Sequence, residues 1–184
     1  MNIAISDMSL SVSAGQSIFQ LLKDIDVQGV EVRADIDGSL PRMVLEDGST
    51  PFSIGTPSES NAFKERLQAE GVGVVALLLG TDFSSDDPDA QIAWAKRAVE
   101  AAQELGAPVV RIDTATKNQE LSVAQVRDNF VRCIKQVLQD TVSTDVDLGI
   151  ENHGHLSNDP QFLDEVFAAV NDHRLGMTLD VGNF

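Results

Sequence analysis

The richest chemistry in the chain is packed into ten residues, LGIENHGHLS, at positions 148–157. An apolar run of strand type ends there in an acid (Glu151), an amide (Asn152) and two of the three histidines, His153 and His155. A second cluster closes LGMTLDVGNF, where Asp180 and Asn183 follow another apolar run. If Glu151 and Asp180 end consecutive strands, their carboxylates project side by side, and two adjacent carboxylates repel unless a cation or a proton sits between them. A divalent metal resolves that repulsion. Oxygen donors with a histidine favour manganese, magnesium, cobalt or zinc over a thiol-seeking ion. A structural pair sharing one proton is the bland alternative. His153 and His155 fall on the same face as Glu151 only if the strand continues; otherwise histidines past a strand end hold loops or contact substrate.

These groups need a scaffold that delivers strand ends to one place. Apolar runs at residues 3–6, 29–34, 72–79, 108–112, 146–150 and 175–179 read as strands. Helical patterns lie between them. Asp87 caps, Pro88 suits the first turn, and Ile92, Ala95, Val99, Ala102 and Leu105 recur at helical spacing before Gly106 stops the segment. Another helix starts at Ser122 with Val126, Phe130, Ile134 and Val137 on one face, and a third opens at Asp159 and Pro160. Weaker patterns cover residues 17–26 and 58–70. The long connection at residues 36–57, with EDGSTP inside it, is expected to form a small hairpin or a lid.

Strict alternation of strands and helices implies parallel strands with right-handed crossovers. No GxGxxG follows the first strand, so a barrel of (β/α)8 type is favoured over an open nucleotide-binding sheet. Strands covered on both faces should be nearly all apolar, yet Glu31, Arg33, Arg111 and Asp113 interrupt them at every second position. A period of two turns the aliphatics to the helices and these charges to the barrel axis. There they either fill the axis as an ion-pair network or contact substrate.

Composition narrows the functional classes. The 184 residues, 42% hydrophobic, suit a single domain spanning residues 1–184. Twenty-nine acids against 13 Lys and Arg give a net charge of −16, the wrong sign for a nucleic-acid partner. No apolar run approaches the roughly 20 residues that span a bilayer, and the start lacks signal-peptide character, so a cytoplasmic protein is expected. The single Cys133 falls in a helical pattern and reads as a buried hydrophobe.

LGIENHGH followed by a helix and then LGMTLDVGNF resembles the sugar phosphate isomerase/epimerase superfamily, the xylose isomerase-like barrels. LGAPVVRID and GVEVRAD are similar to that family's fourth and second strands. The resemblance implies a divalent metal held by a Glu ending strand five, an Asp ending strand six, and a His and a Glu from strands seven and eight. Glu151 and Asp180 match the first two, with Glu151 also serving as acid/base in an isomerase or epimerase reaction, through an enediolate, on a small carbohydrate: a sugar, sugar phosphate or related polyol. His153, His155, Arg111, Glu31 and Asn183 are the expected substrate contacts. Asn183 stands where characterised ketose epimerases of the family carry His. Against the roughly 250 residues of a full barrel, the chain reads as about six βα units of an incomplete barrel, a truncated product or fragment with open edges that favour homo-oligomers. A catalytically silent partial barrel and an apurinic-site endonuclease are the alternative readings. The nuclease wants further histidines and a basic groove.

Overall fold

The computed structural model describes residues 3–183, so Phe184, the last residue of the LDVGNF motif, lies outside the described residues. Six strands, β1 (Ala4–Ser6), β2 (Gly29–Arg33), β3 (Gly73–Leu78), β4 (Val109–Ile112), β5 (Asp147–Glu151) and β6 (Leu175–Thr178), form one sheet in chain order. Every neighbouring pair is parallel. This is the α/β, (β/α)8 barrel architecture carried through six strands, with β1 and β6 as edges among the described residues.

Five helices cover the outer face: α1 (Ile18–Asp24), α2 (Pro57–Glu70), α3 (Pro88–Leu105), α4 (Val123–Asp140) and α5 (Pro160–Val170). Their starts follow local chemistry. Thr56, Asp87 and Asp159 precede a proline and accept a first-turn N–H, while Ser122 and Gln125 close a reciprocal capping box. Gly106 ends α3 at φ 80°, a left-handed conformation that glycine adopts without strain. The expected elements are all present, with ends shifted by one or two residues.

The alternation within strands divides the sheet as anticipated. Val30 and Val32 of β2 and Val110 and Ile112 of β4 are buried against the helices, while Glu31 and Arg111 are only partly covered on the other face. Between β2 and α2, the connection at residues 36–57 is part of the core. It has one antiparallel bridge, Ser39 to Ser53, and buries Leu40, Met43 and Ile54 at 0–1% exposure. Val44 also accepts the N–H of Ile18, tying the segment to α1. A segment held this way is an anchored wall; opening it as a lid would expose three buried apolar side chains.

Asp7, in the single 3-10 turn that follows β1, links two strand ends. It is 1% exposed, and its Oδ2 accepts the backbone N–H of Arg33 at 2.9 Å. Oδ1 is buried without a hydrogen-bond partner. Burial is the main cause that pushes this carboxyl up to about 6, helped by Glu31 and opposed by the Arg33 N–H and by Arg42. The folded state therefore prefers the protonated acid. Its stabilising contribution is complete below the ordinary carboxylate range near 3.8 and is lost as pH rises through about 6.

Two outcomes are expected. Asp7→Asn, which keeps the acceptor and removes the charge, stabilises the fold above pH 6 by on the order of 2 kcal/mol, with little gain at pH 4; urea titrations at both pH values check this, and an equal effect at both contradicts it. Leu40→Ala lowers global stability by roughly 2–5 kcal/mol, read from the denaturation midpoint; a loss below about 1 kcal/mol would fit a detachable lid instead.

Candidate active site

The C-terminal ends of β2, β4, β5 and β6 bring the chemistry-bearing residues to one mouth. Arg111 of β4 stands between two carboxylates, with its Nη1 3.5 Å from Glu31 Oε2 and 3.4 Å from Glu151 Oε1. Two of the four inward charges therefore join Glu151 in an ion-pair chain across the axis. Arg33 does not join it and instead meets Asp35 at 3.0 Å on a more exposed flank.

Asp113 completes the cluster. It lies two residues beyond Arg111, on the same side of the strand direction, and its backbone is locked by Thr81 to the connection that follows β3. The Thr81 hydroxyl donates to Asp113 O at 2.9 Å and accepts from Asp113 N at 3.0 Å. His153 Nδ1 is 3.4 Å from Asp113 Oδ1, too long for a good hydrogen bond, and that oxygen is buried without a hydrogen-bond partner. One donor atom each from Asp113, Glu151 and His153 lie within 4.8 Å of one another. Two carboxylate oxygens, one of them orphaned, with an imidazole nitrogen make a donor set that fits a divalent cation.

The electrostatics agree with that fit. Burial pushes the Glu151 carboxyl up from its ordinary value; Arg111 opposes the rise, and Asp113 adds to it. Asp113 is raised for the same reason, with His153 and then Arg111 pulling the other way. Both carboxyls hold a proton more readily than exposed acids do.

β5 stops at Glu151, so His153 and His155 do not extend its face. The chain turns at once. His153 N–H donates to Glu151 O and to Ser157 Oγ, both at 2.9 Å, and Ser157 Oγ returns a bond to His153 O at 2.8 Å. This turn swings the half-exposed His153 ring toward Asp113 and leaves His155 beside a neighbouring cavity. Asp180, two residues past the end of β6, lies beside this group but outside it. Its backbone is clamped by the fully buried Asn152, whose Nδ2 donates to Asp180 O at 2.8 Å and whose Oδ1 accepts Asp180 N–H at 2.6 Å. Asp180 Oδ1 accepts Gly182 N–H at 2.7 Å, within the turn that holds Asn183. Asn152 thus orients the backbone that carries the second acid.

Sequence reasoning put Asp113 on the inward face without counting it among the cation ligands. The signal was present, since period-two alternation carries Asp113 to the same side as Arg111. Thr81 and Ser157 left no comparable trace, because their partners are backbone atoms of other segments.

The family described as xylose isomerase-like TIM barrel matches residues 19–184. No curated protein sequence is significantly similar. Among solved structures, an L-ribulose 3-epimerase matches at 16% identity and TM-score 0.70, covering 100% of this chain and 62% of that one. The IOLI protein with a bound zinc atom matches at 17% and 0.71, covering 100% and 64%. A xylose isomerase-like TIM barrel protein from Mycobacterium smegmatis in complex with magnesium matches at 14% and 0.71, covering 99% and 65%. At these identities the likeness is one of fold, and this chain spans less than two thirds of each of those proteins. The family match across nine tenths of the sequence, on six parallel strands whose ends gather the acids, places the chain in the xylose isomerase-like TIM barrel family.

Proposed function

We propose that the protein serves a divalent-metal-dependent isomerase or epimerase reaction on a sugar or related polyol, by moving a proton on the carbon beside a carbonyl. The observation that carries this reading is the convergence of Asp113, Glu151 and His153 within 4.8 Å at the strand ends. Membership of a family whose solved relatives include sugar epimerases supports the reaction class. Relatives described with zinc or magnesium support a cation, and manganese or cobalt suits the same donors.

Glu151, Asp113 and His153 would hold the ion, with Asp180 approaching from the adjacent strand end. A bound divalent ion supplies positive charge beside the substrate oxygen that turns negative as the proton leaves. Glu151 is the group that takes that proton. Its burial raises proton affinity toward the working pH, which favours both accepting and returning a proton. Arg111 restrains the Glu151 carboxylate and, from its position between two acids, orients rather than delivers protons. Glu31, Arg111, His153, His155 and Asn183 are the substrate contacts in this reading. Exposed Met177, Leu179 and Val181 along the β6 edge suit association with a second copy, and a cytoplasmic setting fits the reading. No helix among the described residues is long and apolar enough to cross a membrane.

Glu151→Gln is expected to lower the exchange of solvent deuterium into a ketose, at the carbon beside the carbonyl, by roughly 10²–10⁴-fold, measured by NMR. Manganese titration by calorimetry is expected to show binding that Asp113→Asn weakens by about ten-fold, or 1.4 kcal/mol. Equal manganese affinity in the wild type, Asp113→Asn and Glu151→Gln would assign the cluster a purely structural role.

A further inference from the structure

Behind the acid cluster, between the β4–α4 and β5–α5 connections, lies a cavity of about 490 Å³. That is within the roughly 300–1,000 Å³ of small-molecule sites. Leu121, Val123, Val126 and Leu156 give it most of its apolar surface, Asn118, Gln119 and His155 add uncharged polar groups, and no Lys, Arg, Asp or Glu lines it among the described residues. Two features make it more than a packing defect. His153 belongs both to this lining and to the group with Asp113 and Glu151, so the cavity opens directly beside the reacting end. Thr114, also in the lining, is 3% exposed, and its hydroxyl is buried with no hydrogen-bond partner. A buried hydroxyl left unpaired costs free energy that a ligand oxygen recovers. Thr114 reaches this side because it follows the inward Asp113 by one residue and so faces away from the axis.

We propose that this cavity is a subsite for an uncharged apolar substituent of the substrate, seated with the Thr114 hydroxyl bonded to one oxygen near the point of attachment. The substrate class is then a carbohydrate bearing an apolar group, such as an aryl or alkyl glycoside, rather than a free or phosphorylated sugar. This assignment of substrate class rests on the isomerase or epimerase reading; the cavity itself does not. Charge argues the same way. A phosphate needs a cation or several free N–H donors, yet the cavity offers neither Lys nor Arg. The nearby Arg111 is engaged by Glu31 and Glu151.

The cavity is tested first with fragments. Benzyl alcohol, titrated against the metal-free protein by NMR, is expected to give saturable shifts at Thr114, His155 and Leu156 with millimolar affinity. Toluene, which lacks the hydroxyl, should bind more weakly. Thr114→Val keeps the side-chain volume and should weaken benzyl alcohol about three-fold to ten-fold while leaving toluene unchanged. Leu121→Trp, on a half-buried loop position, should fill the cavity and weaken both ligands by at least about ten-fold. Shifts that do not saturate, or affinities unaltered by both substitutions, overturn the subsite. In the exchange reaction, phenyl-substituted sugar substrates should exceed their free and phosphorylated counterparts about ten-fold in kcat/KM, and the reverse order overturns the substrate class. The fragment titration needs neither metal nor turnover, so a protein that exchanges no sugar proton defeats the isomerase reading while the titration still judges the cavity.

Discussion

Arg111 meets Glu31 at 3.5 Å and Glu151 at 3.4 Å, so a single guanidinium from β4 balances carboxylates supplied by β2 and β5. At an effective dielectric near 20, each such contact is worth on the order of 5 kcal/mol before desolvation, and burial of the ions takes back a comparable amount. The network holds position more than it adds stability. It also leaves Arg111 shared among Glu31, Glu151 and Asp113, while the buried Asp7 is opposed by the Arg33 N–H and by Arg42 instead. Burial is the main cause of the raised proton affinity of Glu151, Asp113 and Asp7, and it makes a cation or a proton the natural complement of the site.

Precision in the cluster comes from backbone clamps rather than from the charges. Thr81 fixes the backbone of Asp113 to the connection after β3, Asn152 fixes Asp180 to the residue just past β5, and Ser157 closes the turn that carries His153. All three are buried, so their hydrogen bonds are shielded from competing water. A carboxylate on a clamped strand end cannot move away from its like-charged neighbours, and the repulsion is retained for use.

Much of the scaffold was legible residue by residue. The Asp87–Pro88 start and the Gly106 stop of α3, and the Ser122 start of α4, depend on contacts within a few positions, which a sequence displays directly. The inward turn of Glu31 and Arg111 followed from period-two alternation alone. The grouping of Asp113 with Glu151 and His153 was not legible to the same degree. It depends on where β5 stops: Glu151 is the last strand residue, and the immediate turn carries His153 across to Asp113 instead of along β5. The connection at residues 36–57 was legible only in part, for a similar reason. Its turn residues are visible, but the burial of Leu40 and Met43 depends on a surface assembled from other elements.

By itself the sequence determined the order and type of the elements, the face each strand presents and the acids available at the strand ends. Those properties arise from steric and hydrogen-bonding preferences acting over one or two turns of chain. Only the tertiary structure decided which acids share a cation-sized space, which hydroxyl is left without a partner, and that an apolar cavity adjoins the histidine. Those outcomes depend on strand register and loop packing, where a shift of a few ångströms between distant segments separates a ligand group from a set of unrelated charges.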